Sequence, residues 1–473
     1  MNHTFILKLH PEARLETLEP NAIRLVLRGT ALRLTLSGAV KEVLEALTGE
    51  GVRLSDIAPA NAASIRYLIL KLDQKGMVAW RAGNALSLVP MTADFRASYR
   101  ALKTEERVRA SRFALVRVEE GRLLLESPLS HAKIWIENPL YAALWGLLAT
   151  PKTSTEIALA LSASEEEARE ALELLVMGGM AEPTDAEGKI SEDKNETLRL
   201  WSHHEALFHA RSRMGRHDSP TGAQFSFVGE IEHAPAHKPP LSSEPIALSV
   251  PNGEVAEQTK MPLLRALEAR HSTRHYDATN PLTIEQLSHF LYWTSRSLGE
   301  RVSKAGVPYA AVLRQYPNGG SMGELEVYVI VRECAGVVAG AYHYDSWDHA
   351  LRSVEGDAGQ ATEILQKGQW AAGITEPPPV MLVLAARTPR FLWKYQSMGY
   401  ACILKHVGVV FQTWYLVATA MGLAACANGA GNSEVFSKLT GYSFFDETSV
   451  GEFMLGVPPH SLQAQNSHTA SAL

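Results

Sequence analysis

Two stretches of the chain, about one hundred residues apart, share one grammar. Ser55-Asp56-Ile57-Ala58 is matched by Thr155-Glu156-Ile157-Ala158, and Gly76-Met77-Val78 by Gly179-Met180-Ala181. In the first copy the runs beginning at Ala22 and Leu32 alternate like half-buried strands. Val40 to Leu47 has helical spacing, closed by Gly49 and Gly51. A second helix runs through Ile65, Leu68, Leu70 and Leu72, and Lys75-Gly76-Met77-Val78 turns into a strand. In the second copy Phe113 to Val118 and Arg122 to Glu126 form a hairpin around Glu120-Gly121, and Leu140 to Leu148 is a helix. The duplication commits residues 1–95 and 105–190 to two copies of one small unit.

Each copy reads as winged-helix-like. The usual partner of such a unit is DNA, but neither copy carries a stripe of Arg and Lys. In the second, Glu165-Glu166-Glu167 opens the last helix, where acids complement the macrodipole. A strand edge beside a helix can instead accept an extended peptide as an added strand, so peptide docking is the better functional reading. A pair of packing domains with no ligand is the structural alternative.

At 473 residues the chain predicts two to four domains, and 46% hydrophobic with 20% charged residues is globular. A net charge of −6 gives no global reason to expect nucleic acid or an anionic membrane. No apolar run reads as long enough to span a bilayer. The start, MNHTFILKLHPEARLE, lacks the order of a signal peptide. Cys334, Cys402 and Cys426 have no CxxC spacing, which fits a reducing cytoplasm and gives no zinc site.

Residues 185–262 read as a polar connector, with turns at Pro239-Pro240 and Pro251-Asn252-Gly253. His203, His204, Glu205 and His209 invite a metal, but H-E-x-x-H would need His at position 208, where Phe208 stands. No metal is expected. From Met261 to about Pro459 the pattern is α+β. Leu282 to Trp293 is a helix started by Thr283 with Glu285-Gln286 in its first turn. Leu325 to Val331, Ala341 to Asp345, Val380 to Ala385 and Phe453 to Val457 are strands. Phe391 to Met421 is one long helical region. Residues 461–473 read as a disordered tail.

Leu263 to Asp277 holds the densest chemistry. Arg270, Ser272 and Arg274 alternate, so in an extended segment they share one face. Two guanidinium forks and a hydroxyl suit a phosphate monoester. The plain alternative is a solvated basic loop. Gly319-Gly320-Ser321-Met322-Gly323 fits G-x-S-x-G but precedes a strand and follows none, unlike a nucleophile elbow. Glycine after Tyr316-Pro317-Asn318 better serves close approach of backbone to a flat ligand. Gly429-Ala430-Gly431 lacks the third glycine of a dinucleotide fingerprint and follows a helix. Lys394-Tyr395 sits among Phe391, Leu392, Trp393 and Tyr400. Such a pair is ordinarily surface decoration, but a lysine partly stripped of water gives up its proton more readily and can act as a base.

Four of these stretches, in order, resemble one family. Arg270-His271-Ser272-Thr273-Arg274 is similar to the flavin-phosphate motif of the nitroreductase fold. Arg314 to Gly320 followed by Glu324-Leu325-Glu326-Val327-Tyr328-Val329 resembles the R-x-x-P-S-G-G…L-E-V-Y-V stretch of SagB-type dehydrogenases. Gly340 to Asp345 with His349-Ala350-Leu351 resembles their G-L-Y-H-Y-D…H-A-L. Lys394-Tyr395 falls at their catalytic pair. The resemblance covers Leu198 to Pro459, and the doubled N-terminal unit looks like that of cyanobactin oxidases in the same group.

The resemblance implies an α+β nitroreductase-like oxidase domain at 195–460, preceded by two peptide-recognition-like modules, and a cytoplasmic homodimer with FMN at the subunit interface. Arg270, Ser272 and Arg274 would hold the phosphate. Pro317, Asn318, Gly319, Asn428 and Gly429 would border the flavin. Asn318 stands where the family has Ser, and its amide can still hydrogen-bond flavin edge atoms. The basic residues that many nitroreductases carry near the C-terminus are absent from Val457-Pro458-Pro459-His460. The implied reaction is oxidation of thiazolines, and by extension oxazolines, to thiazoles and oxazoles in a heterocyclised precursor peptide. Lys394 would be the base, with Tyr395 orienting it or relaying the proton. The rival readings are an NAD(P)H-dependent nitro- or quinone reductase and an inactive peptide-binding scaffold.

Overall fold

The computed structural model describes residues 4–19, 21–57, 61–242, 244–302 and 309–460. Ala58 of the repeated tetrapeptide and the tail expected at 461–473 lie outside the described residues. The chain divides into two compact units, Met1–Ser219 and Pro220–Leu473.

The first unit opens with β1 (Ile6–Leu9) and a meander of β2 (Arg14–Glu19), β3 (Ala22–Leu27) and β4 (Thr30–Thr35). Helix α1 (Gly38–Thr48), β5 (Val52–Arg53), helix α2 (Ala62–Asp73), β6 (Val78–Ala82) and β7 (Leu86–Pro90) follow. The chain then makes a second pass: β8 (Val108–Ala110), β9 (Leu115–Glu119), β10 (Arg122–Glu126) and β11 (Ala132–Ile136). It continues through α3 (Ala142–Leu147), α4 (Ser154–Leu161), α5 (Glu165–Met177) and β12 (Ala181–Pro183). Three short helices close the unit: α6 (Ser191–Lys194), α7 (Glu196–Leu200) and α8 (His203–Arg211).

The pairing repeats between passes. β1 is flanked by β5 and β6, and β8 by Lys152 and β12, all antiparallel. Helices α4 and α5 begin with capping boxes, Thr153 with Glu156 and Ser164 with Glu167, which satisfy the first free N–H groups of each. The turn between β9 and β10 puts Glu120 and Gly121 at φ 51° and 73°, the left-handed pair that a tight hairpin requires.

The meanders differ. β2-β3-β4 stands as its own three-stranded sheet, whereas β11 pairs with β7. The result is one seven-stranded sheet, β5-β1-β6-β7-β11-β10-β9, that runs from the first pass into the second. Its apolar residues, including Leu7, Trp80, Leu88 and Ile134, form one core with Leu174 of α5.

The second unit begins with β13 (Gly222–Ala223), β14 (Pro245–Ala247) and helices α9 (Gly253–Gln258), α10 (Leu263–Ala269) and α11 (Ile284–Thr294). The hairpin β15 (Gly299–Val302) and β16 (Ala310–Leu313) precedes β17 (Leu325–Val331), β18 (Gly340–Asp345) and β19 (Ala350–Ser353). Then come α12 (Ala358–Ala372), β20 (Val380–Arg387), α13 (Thr388–Leu392), β21 (Tyr395–Gln396) and α14 (Gly399–Ala420). β22 (Ala424–Asn428), α15 (Ser433–Thr440) and β23 (Glu447–Gly456) end it.

Seven strands form an antiparallel sheet in the order β14-β19-β18-β17-β20-β23-β22. Alternation along β17 sends Leu325, Val327 and Val329 into a core with α11 and α14, and Tyr328 and Ile330 into a core with α12 and α15. Both faces are covered, which is why β17 and β20 are mostly apolar, with Glu326 and Arg387 as their buried charged residues.

The region expected as one helix from Phe391 is broken. Helix α13 stops at Leu392, and β21 pairs with β13, some 170 residues earlier in the chain, before α14 begins at Gly399. Ser397 takes a left-handed φ of 58°, and a Cβ at Gly399 would lie 2.3 Å from Leu392 Cδ2. Helix α14, at 22 residues, is long and apolar enough by composition to cross a bilayer, contrary to the expectation from sequence. Ile403, His406, Val410, Trp414 and Ala418 on it are buried within this unit, the pattern of a core helix.

Candidate functional site

The break between α13 and α14 carries Lys394 to the loop that joins β16 to β17. That loop is anchored by buried Tyr316 and pinched by Asn318, whose Oδ1 accepts the Gly323 N–H at 3.1 Å. Gly319 donates its N–H to Nε2 of His406 at 2.9 Å. The other ring nitrogen, Nδ1, lies 2.5 Å from Oε1 of fully buried Glu324. A backbone donor on Nε2 makes Nδ1 the protonated nitrogen, so the imidazole is neutral and its hydrogen points at the carboxylate.

Gly320 (φ 63°) faces the predicted catalytic pair: a Cβ there would lie 2.4 Å from Lys394 Nζ and 2.8 Å from Tyr395 Oη. Lys394 is 6% exposed. Its Nζ donates to Tyr309 Oη at 2.7 Å, and Tyr309 donates to the Gly320 carbonyl at 3.2 Å. The ammonium also lies 4.3, 5.1 and 5.4 Å from the rings of Tyr309, Tyr395 and Phe225. Among the described residues no carboxylate pairs with it. Tyr395 stacks on Phe391 with centroids 4.7 Å apart, so Tyr309 is the phenol that meets Lys394. The structure thus brings Asn318, Gly319, Lys394 and Tyr395 together; Pro317 is exposed at the loop's tip.

The phosphate motif forms a second cluster. After α10, Thr273 donates its N–H to the Ala425 carbonyl at 2.8 Å, which lays the motif along β22. Ser272 Oγ lies 2.8 Å from Tyr415 Oη, and Tyr415 also accepts the Ala427 N–H at 2.7 Å. Arg270 holds its guanidinium 5.2 Å from the centroid of the Tyr415 ring. Arg274 is exposed, and among the described residues neither arginine is paired with a carboxylate. Two uncompensated guanidiniums beside a serine hydroxyl are a donor set that fits a phosphate dianion. Asn428 turns its amide to the Gly368 carbonyl at 3.1 Å, toward α12, while nothing lies within 4 Å of where a Cβ of Gly429 would be.

His406 and Tyr415 are nine residues apart on α14, which is half a turn around the axis and about 13 Å along it. The two clusters therefore flank one helix. Next to the second, Glu452 is buried against Gly431, whose Cβ would meet its carboxylate oxygen at 1.9 Å, and burial pushes the Glu452 pKa up to about 7.

Sequence reasoning missed Tyr309, Glu324, His406 and Tyr415. His406 was detectable as a polar break in the apolar face of α14, and Glu324 as an acid opening a buried strand. Tyr309 and Tyr415 carry no local mark.

A family model described as the nitroreductase family matches residues 267–457, and one described as cyanobactin oxidase ThcOx matches residues 108–218. A protein of Methanocaldococcus jannaschii described as a nitroreductase is 31% identical over 162 residues, 34% of this chain and 75% of that protein. Among solved structures, the Escherichia coli microcin synthetase McbBCD complex with truncated pro-MccB17 bound is 18% identical and has a TM-score of 0.34, covering 58% of this chain and 100% of that one. A Desulfovibrio desulfuricans nitroreductase described in complex with FMN is 14% identical and has a TM-score of 0.26, covering 42% of this chain and 88% of that one. With three quarters of the M. jannaschii protein's length covered at 31% identity, this chain is an oxidoreductase that belongs to the nitroreductase family, whose members typically bind flavin.

Proposed function

We propose that the chain is an FMN-dependent azoline oxidase that matures a ribosomally made peptide by converting thiazolines to thiazoles. The observation that carries this reading is Lys394: a buried amine among aromatic rings, free of carboxylates among the described residues, pressed against Gly320. A cyanobactin-oxidase match in the first unit and a nitroreductase match in the second support the same reading.

A thiazoline becomes a thiazole by losing a hydride from its CH2 and a proton from the former α-carbon. Bound FMN would supply the hydride acceptor. Arg270, Ser272 and Arg274 would hold its phosphate, and Pro317, Asn318 and Gly319 would border its ring. Lys394, as the free amine, takes the proton. Tyr309 keeps Nζ in place by accepting one of its hydrogens, and its own hydrogen is fixed on the Gly320 carbonyl. The His406–Glu324 pair holds Gly319, so base and loop are set by one network.

The oxidase works as a homodimer. Half a turn of α14 separates the loop cluster from the phosphate cluster, and a second copy can bring the missing half to each. Leu263, Leu264 and Leu267 on α10, exposed by 64%, 73% and 44%, supply an apolar face beside the phosphate motif for that contact. The precursor peptide docks on the first unit. There β2 is exposed along its whole length at the edge of the β2-β3-β4 sheet. Cys334, Cys402 and Cys426 are all free, as suits a cytoplasmic enzyme.

The test is a mass spectrum of a thiazoline-bearing peptide after incubation with the protein and FMN in air. Loss of two hydrogens per ring is expected. An unchanged mass with flavin bound, together with rapid NAD(P)H consumption, would point to a reductase instead.

A further inference from the structure

One wall of the Lys394 site opens into a cavity of about 610 Å³. The segment Val228 to Ala236, including Ile231 and His233, forms one side; Tyr309 and Trp393 form the other. The segment is fastened down. Trp393 Nε1 donates to the Ile231 carbonyl at 2.7 Å, and Arg390 donates to the Ala234 carbonyl at 2.6 Å. The walls are aromatic, with the His233 ring 4.8 Å from Trp393 and 5.8 Å from Tyr309. Tyr309, a lining residue, is also the one that accepts the Lys394 Nζ hydrogen bond, so the cavity and the base share that ring.

Behind the lining, buried Arg390 donates to the carbonyls of Met322, Ala234 and Ala310. Burial, with Arg390 nearby, pushes the His233 pKa down to about 4, so this ring is neutral at pH 7, and its buried Nε2 has no hydrogen-bond partner. The rim is negative. Glu230 and Glu232 are exposed, and neither is ion-paired among the described residues. A volume in this range suits a small ligand or a short piece of peptide. The flat apolar interior fits a five-membered heterocycle, and the acidic rim favours a cation.

We propose that this cavity receives the azoline of the substrate peptide, and that Glu230 and Glu232 select a basic side chain on the neighbouring residue. The proposal rests on the azoline-oxidase reading and adds a specificity to it.

The test uses the full-length protein and two pairs of short peptides. One pair carries a thiazoline flanked by Lys or by Glu. The other carries the corresponding thiazole, which binds but cannot react. The Lys-flanked thiazoline should show about tenfold higher kcat/KM, from two rim carboxylates each contributing a surface-strength interaction. The thiazole pair should show the same order in Kd by fluorescence anisotropy, and 1 M salt should shrink the gap. In E230K/E232K, where two exposed side chains change and the core does not, the order should reverse. Equal affinities for the Lys and Glu peptides, or a preference unchanged in E230K/E232K, would overturn the proposal. Charge-selective thiazole binding that reverses in E230K/E232K, without oxidation of any azoline, would uphold the cavity and sink the oxidase reading.

Discussion

Gly319 is tied to His406 by a 2.9 Å hydrogen bond from its backbone N–H, and His406 is tied in turn to Glu324. Glu324 is fully buried, and its second oxygen has no partner. His406→Leu would strand that carboxylate, so the variant should lose about 3 kcal/mol in urea denaturation. Adding Glu324→Leu should recover much of the stability. Turnover should stay low in both variants, because Gly319 is untethered in each. A double variant no more stable than the single one would contradict the coupling.

Lys394→Ala should lower turnover by roughly 10²–10⁴ while flavin absorbance is retained, the usual worth of a positioned base. Tyr309→Phe removes the acceptor of the Nζ hydrogen bond and the donor to the Gly320 carbonyl, and should cost about tenfold. A Tyr395→Phe loss larger than that of Tyr309→Phe would return the relay to the neighbour in sequence.

Gly320→Ala places a methyl where the Lys394 amine now sits, 2.4 Å from Nζ. The amine ends a flexible chain and can swing away, so the fold should survive with a melting temperature within a few degrees of the parent. Turnover should fall by about a hundredfold, as expected for a displacement near 1 Å.

Arg270→Ala should weaken FMN binding by about 2 kcal/mol, near thirtyfold in Kd, since a charge-assisted hydrogen bond is lost. Arg274→Ala should do the same if both forks grip one phosphate. Flavin fluorescence titration measures each.

Glu452 gives a pH signature. Its pKa is about 7 in the folded protein against an ordinary 4.5. Between those values the native state holds more protons than the unfolded one, so stability is lost as pH rises from about 4.5 to 7 and is flat above. By pH 8 the buried charge costs about 3 kcal/mol. Glu452→Gln should therefore raise the melting temperature at pH 8 and leave it nearly unchanged at pH 4.5. Asp73, also raised by burial, is common to both proteins and drops out of the difference.

What could be read from the sequence was local. The Thr283–Gln286 cap, the apolar run of β17 and the hairpin at Glu120-Gly121 each depend on neighbours within a few residues, and the structure has them. Lys394 and Gly320 were both singled out by type and motif, but their contact crosses more than seventy positions and left no periodic trace. The break before α14 was invisible for the same reason: Tyr395 is extended because Gly222–Ala223 pairs with it, and nothing near Tyr395 says so. Tyr309 follows a segment without periodicity and gained its role only when the chain folded back on Lys394.

The strand pairing of β7 with β11 makes the duplication in the first unit a one-way step. A chain that lost either copy near residue 100 would expose a full strand edge, at Leu86–Pro90 or at Ala132–Ile136, to any other copy it met. A doubled gene segment can ordinarily shrink back without harm. Here the shared sheet turns contraction into a route to aggregation, so the two copies can diverge in role but are inherited as a pair.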